Sequence, residues 1–184
     1  IDNIIFLIIV GVLFLYILLA LVRSLRLVPA RMEFIVERFG RYHTTLGAGF
    51  HFLMPFVDRV AFTQDLKEHT MDVPPQTCFT KDEIQVEVDG VIYLQVIDSQ
   101  KASYGITDFQ YASIQLAQTT TRAIIGTLDL DRTFEEREAI SGKVVSVLDS
   151  AAAKWGVKIL RFEIKNLVPP ESVRQSMEKQ VTAE

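Results

Sequence analysis

Few residues of this chain have both the type and the spacing for chemistry. Gly47-Ala48-Gly49 has the glycine density of a phosphate-cradling loop. It lacks the Lys-Ser/Thr of a P-loop and the third glycine of a dinucleotide fingerprint, so turn glycines explain it better. Ser141 and Lys143 are the types of a Ser–Lys nucleophile pair, but two residues apart on a helix they do not face each other. Asp129, Asp131, Glu135, Glu136 and Glu138 gather carboxylates enough for acid–base work. A turn followed by a helix N-terminus, where the helix dipole favours acidic side chains, accounts for them. Thr119-Thr120-Thr121 has no base beside it. His43, His51, His69 and Cys78 stand apart from one another, without the spacing of a metal cage. No catalytic, cofactor-binding or metal-ligating residue is therefore expected. A single cysteine allows no internal disulfide, and a net charge of −4 argues against a general nucleic-acid binder.

What stands out instead is apolar surface in two places. The first is Ile4 to Val22, IIFLIIVGVLFLYILLALV, which carries no charge. As a helix it reaches about 28 Å, close to the hydrocarbon thickness of a bilayer. A core helix of that length would normally have a polar stripe. The run is expected to span a membrane, with Ile4, Phe6, Leu13, Phe14, Leu18 and Val22 in lipid. A cleaved signal peptide fits poorly, because Ile1-Asp2-Asn3 brings no positive charge and no small-x-small site follows. Arg23 and Arg26 after the run place the C-terminal side in the cytoplasm and the N-terminus outside.

The second place is Leu46 to Val60, LGAGFHFLMPFVDRV. It is too apolar for an ordinary surface loop and too broken by Gly and Pro for a long helix. Two readings stand open: a core strand ending in a turn at Met54-Pro55, or a loop against lipid. A mixture is expected, with Phe50 and Phe52 inward and Pro55 and Phe56 outward.

The rest of the chain supplies the framework. Met32, Phe34 and Val36 alternate with Glu33 and Glu37, a half-buried strand, and Gly40 permits the turn into a second strand over Arg41 to Leu46. Arg59 to Asp65 reads as extended, and Pro74-Pro75 as a break. Ile84 to Val96 alternates without a phase change, so Asp89-Gly90 reads as a bend in one long strand rather than a hairpin. The period then becomes helical. Asp108 caps a helix bearing Tyr111, Ile114, Ala117, Thr121, Ile124 and Ile125. Thr133-Phe-Glu-Glu136 reads as a capping box for a helix with Ile140, Val144, Val147, Leu148 and Ala151 on one face, ended by Gly156. Leu160, Phe162 and Ile164 alternate in a last strand. From Glu171 a polar helix carries Val173, Met177 and Val181 four apart, with no stop signal, so a coiled coil is expected to continue from it. The fold class is α+β. The expected segments are an anchor over 1–24, a β-rich unit over 25–80, a second unit over 81–168 and the start of a coiled coil over 169–184.

Six pieces in this order carry a family likeness. They are Val-Glu-Arg-Phe-Gly-Arg-Tyr (36–42), Leu-Gly-Ala-Gly-Phe-His-Phe-Leu-Met-Pro-Phe-Val-Asp-Arg (46–59), Asp-Gly-Val-Ile-Tyr-Leu-Gln-Val (89–96), Lys-Ala-Ser-Tyr-Gly-Ile (101–106), Gln-Leu-Ala-Gln-Thr-Thr-Thr-Arg (115–122) and Trp-Gly-Val-Lys-Ile-Leu-Arg-Phe-Glu-Ile-Lys (155–165). Behind an apolar N-terminal run they resemble the band 7 or SPFH family of stomatin, prohibitin, flotillin and HflK/HflC. The likeness is nearest to the stomatin-like 2, paraslipin and QmcA branch. One departure is Leu46-Gly47-Ala48-Gly49, where the family usually has a proline before the second glycine.

The resemblance implies two small α+β subdomains followed by a coiled coil, and a non-enzymatic scaffold rather than an enzyme. It implies homo-oligomeric rings or cages that organise membrane microdomains and support membrane-protein quality control. The implied partners are membrane lipids, many copies of the chain, and an NfeD-type membrane protein or a membrane protease. The implied place is a bacterial inner membrane. On this likeness Phe50, Phe52, Leu53, Met54, Pro55, Phe56 and Val57 form a membrane-apposed loop. Arg23, Arg26, Arg41 and Arg59 then meet head groups, and Val173, Met177 and Val181 face other copies. The alternatives are a regulatory cofactor of a membrane protease or channel, and a membrane-tethered hydrolase.

Overall fold

The structure, a computed structural model that describes residues 1–182, divides into two compact units that part between Lys67 and Glu68. In the first, an apolar helix α1 (Asp2–Arg23) precedes five strands: β1 (Leu25–Val28), β2 (Met32–Arg38), β3 (Arg41–Leu46), β4 (Gly49–Phe52) and β5 (Asp58–Asp65). β1 pairs with β4 in a two-stranded sheet, and β2 is central in the order β3-β2-β5. All of these pairs are antiparallel. Met32, Phe34 and Val36 do share a face, and they pack with Val28, Leu46, Leu53 and Val60 into this unit's core. The β2–β3 turn has two residues in left-handed conformation, Phe39 (φ 53°) and Gly40 (φ 76°). That is the pattern of a tight hairpin turn whose twist matches the strands. Gly40 was legible as a turn residue, whereas Phe39 is a bulky side chain where glycine or asparagine is usual.

The second unit is a sheet of order β6-β7-β8, formed by β6 (Glu68–Phe79), β7 (Gln85–Val96) and β8 (Val157–Val168). Between β7 and β8 run α2 (Ser99–Tyr104), α3 (Phe109–Ile125), α4 (Leu130–Glu135), α5 (Arg137–Ala152) and a 3-10 turn (Ala153–Trp155). α3 packs on β6, α5 on β8, and the two helices on each other. Cys78, Val86, Val88, Ile125, Leu130 and Leu167 form one buried cluster. α6 (Glu171–Thr182) follows; the expected continuation over Ala183 and Glu184 lies outside the described residues.

Several expectations need correction. The boundary between units falls thirteen residues before the expected one at 80, because β6 pairs with β7 over its whole length and so belongs to the second sheet. Pro74-Pro75 does not end that strand. The two prolines sit in a bulge between Val73 and Gln76 of an edge strand, where no ladder amide is needed. The bulge is fastened from the helix side: Gln118 Nε2 donates to Pro74 O, Gln76 Nε2 to Gln118 O, and Arg122 Nη2 to Gln76 Oε1. Leu160 faces outward, because a bulge opposite Tyr93/Leu94 inserts one residue into β8 and shifts its parity. Two helices were expected after the long strand, and the short α2 and α4 were missed. β7 is the single long strand that the unbroken alternation of Ile84 to Val96 indicates.

The capping box is also corrected. Thr133 is inside α4, fully buried, and its hydroxyl donates to Asp129 O one turn back. α5 starts after Glu136, which makes no side-chain cap. Asp108, by contrast, accepts from the Gln110 and Tyr111 amides at the start of α3, as expected. Asp108→Ala should therefore cost about 1 kcal/mol of stability. Glu136→Ala should cost only about 0.3–0.5 kcal/mol, the worth of its exposed pair with Arg132. Urea unfolding of the two variants would read the difference. Gly156 ends the helical segment at φ 65°, and a Cβ there would run into Asp98 O.

Candidate membrane-contact surface

α1 is the first component. It is 22 residues long, has no buried residue among the described ones, and holds charge only at Asp2 and Arg23. Its length is about 33 Å, enough to cross a bilayer. Ile4, Phe6, Leu13, Phe14, Leu18 and Val22 are all exposed on it. Its C-terminus is tied down locally. The Ser24 hydroxyl donates to Ala20 O at 2.7 Å, and the Leu53 amide donates to Ser24 O at 2.8 Å. The β1–β4 ribbon therefore begins where the helix stops.

That ribbon has an apolar face turned to the outside. The register sets Leu25 opposite Phe52 and Leu27 opposite Phe50. Residues directly opposed in an antiparallel pair share a face. All four are exposed, Phe50 at 67% and Phe52 at 58%. The expectation that these two phenylalanines point inward is thus wrong. Their partners are Leu25 and Leu27 across the ribbon, and the opposite face carries Val28 into the core. Leu53, expected in the loop surface, is 6% exposed and belongs to the core.

The turn after β4 is built around one carboxylate. Arg38 grips Asp58 with two parallel bonds, Nε to Oδ1 at 2.6 Å and Nη2 to Oδ2 at 3.0 Å. Asp58 Oδ2 also accepts the Met54 amide at 3.0 Å, and the Asp58 amide returns to Met54 O at 3.1 Å. The guanidinium bonds, with the Met54 amide in support, hold the Asp58 carboxyl down at about 2 although its side chain is only 4% exposed. This frame closes the segment Met54-Pro55-Phe56-Val57. Pro55 and Val57 are half-buried in it, while Met54 is exposed and Phe56 is 80% exposed at φ 67°. The Phe56 ring stacks on Tyr16 of α1, with centroids 6.0 Å apart. Phe39 on the β2–β3 turn is 82% exposed. It follows Arg38 directly, so it lies at the same end of the sheet as Phe56.

A folded-state pKa below the ordinary carboxylate value means that the Asp58 contribution is complete above about pH 4. It is lost as pH falls through about 2. Protection of the Met54–Asp58 amides against hydrogen exchange should fall in that window. Asp58→Asn should cost about 2 kcal/mol at neutral pH and abolish the acid-dependent step.

Among the four arginines expected at head groups, Arg23, Arg26 and Arg41 are exposed. Arg59 is already paired with Glu37 at 2.9 Å. In α6, Val173 packs on the second unit's own core, Met177 is half-buried and Val181 is exposed. Val173 is thus engaged within the chain rather than left for another copy. Arg174 pairs with Glu171 and Glu178 along the same helix. The contributors that sequence reasoning missed are Tyr16, Leu25, Leu27 and Phe39. The alternation of Leu25 and Leu27 directly after the apolar helix was the available signal for two of them.

Residues 26–184 match the SPFH domain / Band 7 family. Among curated proteins, the chain is 45% identical over 157 residues to human "Stomatin-like protein 2, mitochondrial", covering 85% of this chain and 44% of that protein. It is 40% identical over 157 residues to "Stomatin-like protein stl-1" of Caenorhabditis elegans, covering 85% and 48%. An uncharacterised protein of Mycobacterium bovis is 35% identical over 178 residues, covering 97% and 47%. The chain therefore spans somewhat under half the length of these relatives. The match takes in both units and leaves out only the apolar helix and its first flanking residues, and with it the likeness carried by the six sequence pieces is resolved: the chain belongs to the SPFH domain / Band 7 family.

Proposed function

We propose that the chain is the anchored part of a non-enzymatic membrane scaffold. α1 crosses the bilayer, the first unit lies on the cytoplasmic face, and many copies assemble into a ring or cage. That assembly fences a patch of membrane, in a bacterial cell the inner membrane, and supports membrane-protein quality control. Its partners are lipids, further copies of the chain, and a membrane protein of NfeD or protease type.

The observation that carries the membrane reading is the stack of Phe56 on Tyr16. Tyr16 lies seven residues before Arg23, about 10 Å down the helix axis at 1.5 Å per residue. With Arg23 at the head groups, Phe56 then sits below them, in the zone that interfacial anchors occupy. Leu25, Leu27, Phe50 and Phe52 form an exposed apolar plate on the ribbon that begins directly after α1, and lipid contact would cover it. Assembly rests on family membership and on the polar outgoing helix.

The test uses full-length protein in native vesicles. It should resist alkaline carbonate and, in mild detergent, sediment as a particle of many copies. Release by carbonate would overturn the anchor, and a stable monomer would overturn the scaffold.

A further inference from the structure

The foot of α1 is not sealed against the rest of its unit. Tyr16, Leu19, Ala20 and Arg23 fall at i, i+3, i+4 and i+7 and so make one stripe of the helix. Across from them stand Leu53, Met54 and Phe56, and a cleft of about 300 Å³ lies between. Its two ends differ. Around Tyr16, Leu19 and Phe56 the walls are apolar, while Arg23 and Arg26 line the end next to β1. The other polar groups of the cleft are already used: the Ser24 hydroxyl bonds Ala20 O, and Asp58 is held by Arg38 and the Met54 amide. Among the described residues no carboxylate pairs with Arg23 or Arg26. Ala20 is the smallest side chain of the stripe and lines the cleft, so a larger side chain there would project into it.

We propose that this cleft holds one glycerophospholipid with an anionic head group. Its phosphate lies between Arg23 and Arg26, and an acyl chain runs down the stripe against Leu19, Tyr16 and Phe56. Resting on the reading that α1 spans the bilayer, the proposal adds a discrete ligand to it. The occupant must present an anion and an alkyl chain about 10 Å apart along the helix axis. At that height the bilayer itself supplies such a molecule, and two arginines select the anionic members by charge. A free phosphate satisfies only one end.

The experiment uses the full chain, stripped of lipid in mild detergent and offered phosphatidylglycerol, phosphatidylcholine or inorganic phosphate, with native mass spectrometry as readout. One phosphatidylglycerol per chain should be retained, about thirtyfold in preference to phosphatidylcholine. Inorganic phosphate should not displace it. Ala20→Leu fills the cleft without touching a charge, and Arg23→Gln with Arg26→Gln removes the charge without filling it. Both should lose the retained lipid while the chain still resists carbonate. A carbonate-resistant wild type with no retained lipid, or an Ala20→Leu variant that retains it equally, would overturn the site alone. Displacement by inorganic phosphate would reduce it to a simple anion site. A wild type freed by carbonate would instead overturn the anchor, and the site with it.

Discussion

Phe56→Asp is expected to leave the first unit folded in water and to lift its turn out of the bilayer. The backbone at this residue is left-handed, φ 67°, a conformation that aspartate adopts more readily than phenylalanine. The side chain is 80% exposed, so the folded chain loses little beyond the stack on Tyr16, worth about 0.5–1.5 kcal/mol. In lipid the balance reverses. A carboxylate placed among acyl chains is disfavoured by about 2.5–3.5 kcal/mol at mid-depth and less near the surface. With the lost ring burial added, the inserted state should weaken by about 3 kcal/mol, roughly a hundredfold. A Met54→Trp reporter, in a chain that also carries Trp155→Phe, reads the position through quenching by lipids brominated on the acyl chain. Quenching should be strong while Phe56 is present and fall to the aqueous level once Phe56→Asp is introduced. Equal quenching in both would place the turn outside the membrane and refute its role as a contact.

The same segment shows what a sequence can and cannot disclose. Its apolar content was plain, and so was the turn signal at Met54-Pro55. Which side chains face outward was not, because that depends on a partner far along the chain. β4 pairs with β1, about two dozen residues earlier, and the pairing turns Phe50 and Phe52 to the same side as Leu25 and Leu27. Alternation alone puts Leu53 opposite Phe52, but only the core formed by Val28, Val36 and Leu46 says which side is inside. Elements with a strong local period were legible: α1, the long β7, and α3 with its Asp108 cap. Those decided by non-local pairing were not. β6 survives its two prolines because it is an edge strand latched by Gln118 and Arg122. The unit boundary moved with it. Thr133 matched a capping pattern, yet its methyl and hydroxyl are used inside a buried turn, where back-bonding to Asp129 O competes with capping.

Gly90→Val is expected to unfold the second unit or to destabilise it by about 3–5 kcal/mol. Sequence left two roles for this glycine, a hairpin turn or a bend in one strand, and the packing around it adds a third constraint. Gly90 lies on the inward face of β7, between Val88 and Ile92, at a position whose neighbours on that face are all buried. A Cβ built there would stand 2.7 Å from Glu163 O and 2.9 Å from the edge of the Phe162 ring. The carbonyl is part of β8, whose register changes at Asp89/Gly90, so it cannot retreat without breaking the ladder. Phe162 is itself 2% exposed, so its ring must repack inside the core to make room. Overpacking of a well-filled core typically costs about 1–3 kcal/mol, and a branched side chain set against backbone exceeds that range. The glycine thus admits both the Glu163 carbonyl and the Phe162 ring across the strand. That account makes a second variant decisive: Phe162→Ala in the Gly90→Val background should recover part of the lost stability, although Phe162→Ala alone is destabilising by about 3–5 kcal/mol. Additive losses in thermal unfolding of the double variant would show that the ring is not what Gly90 accommodates.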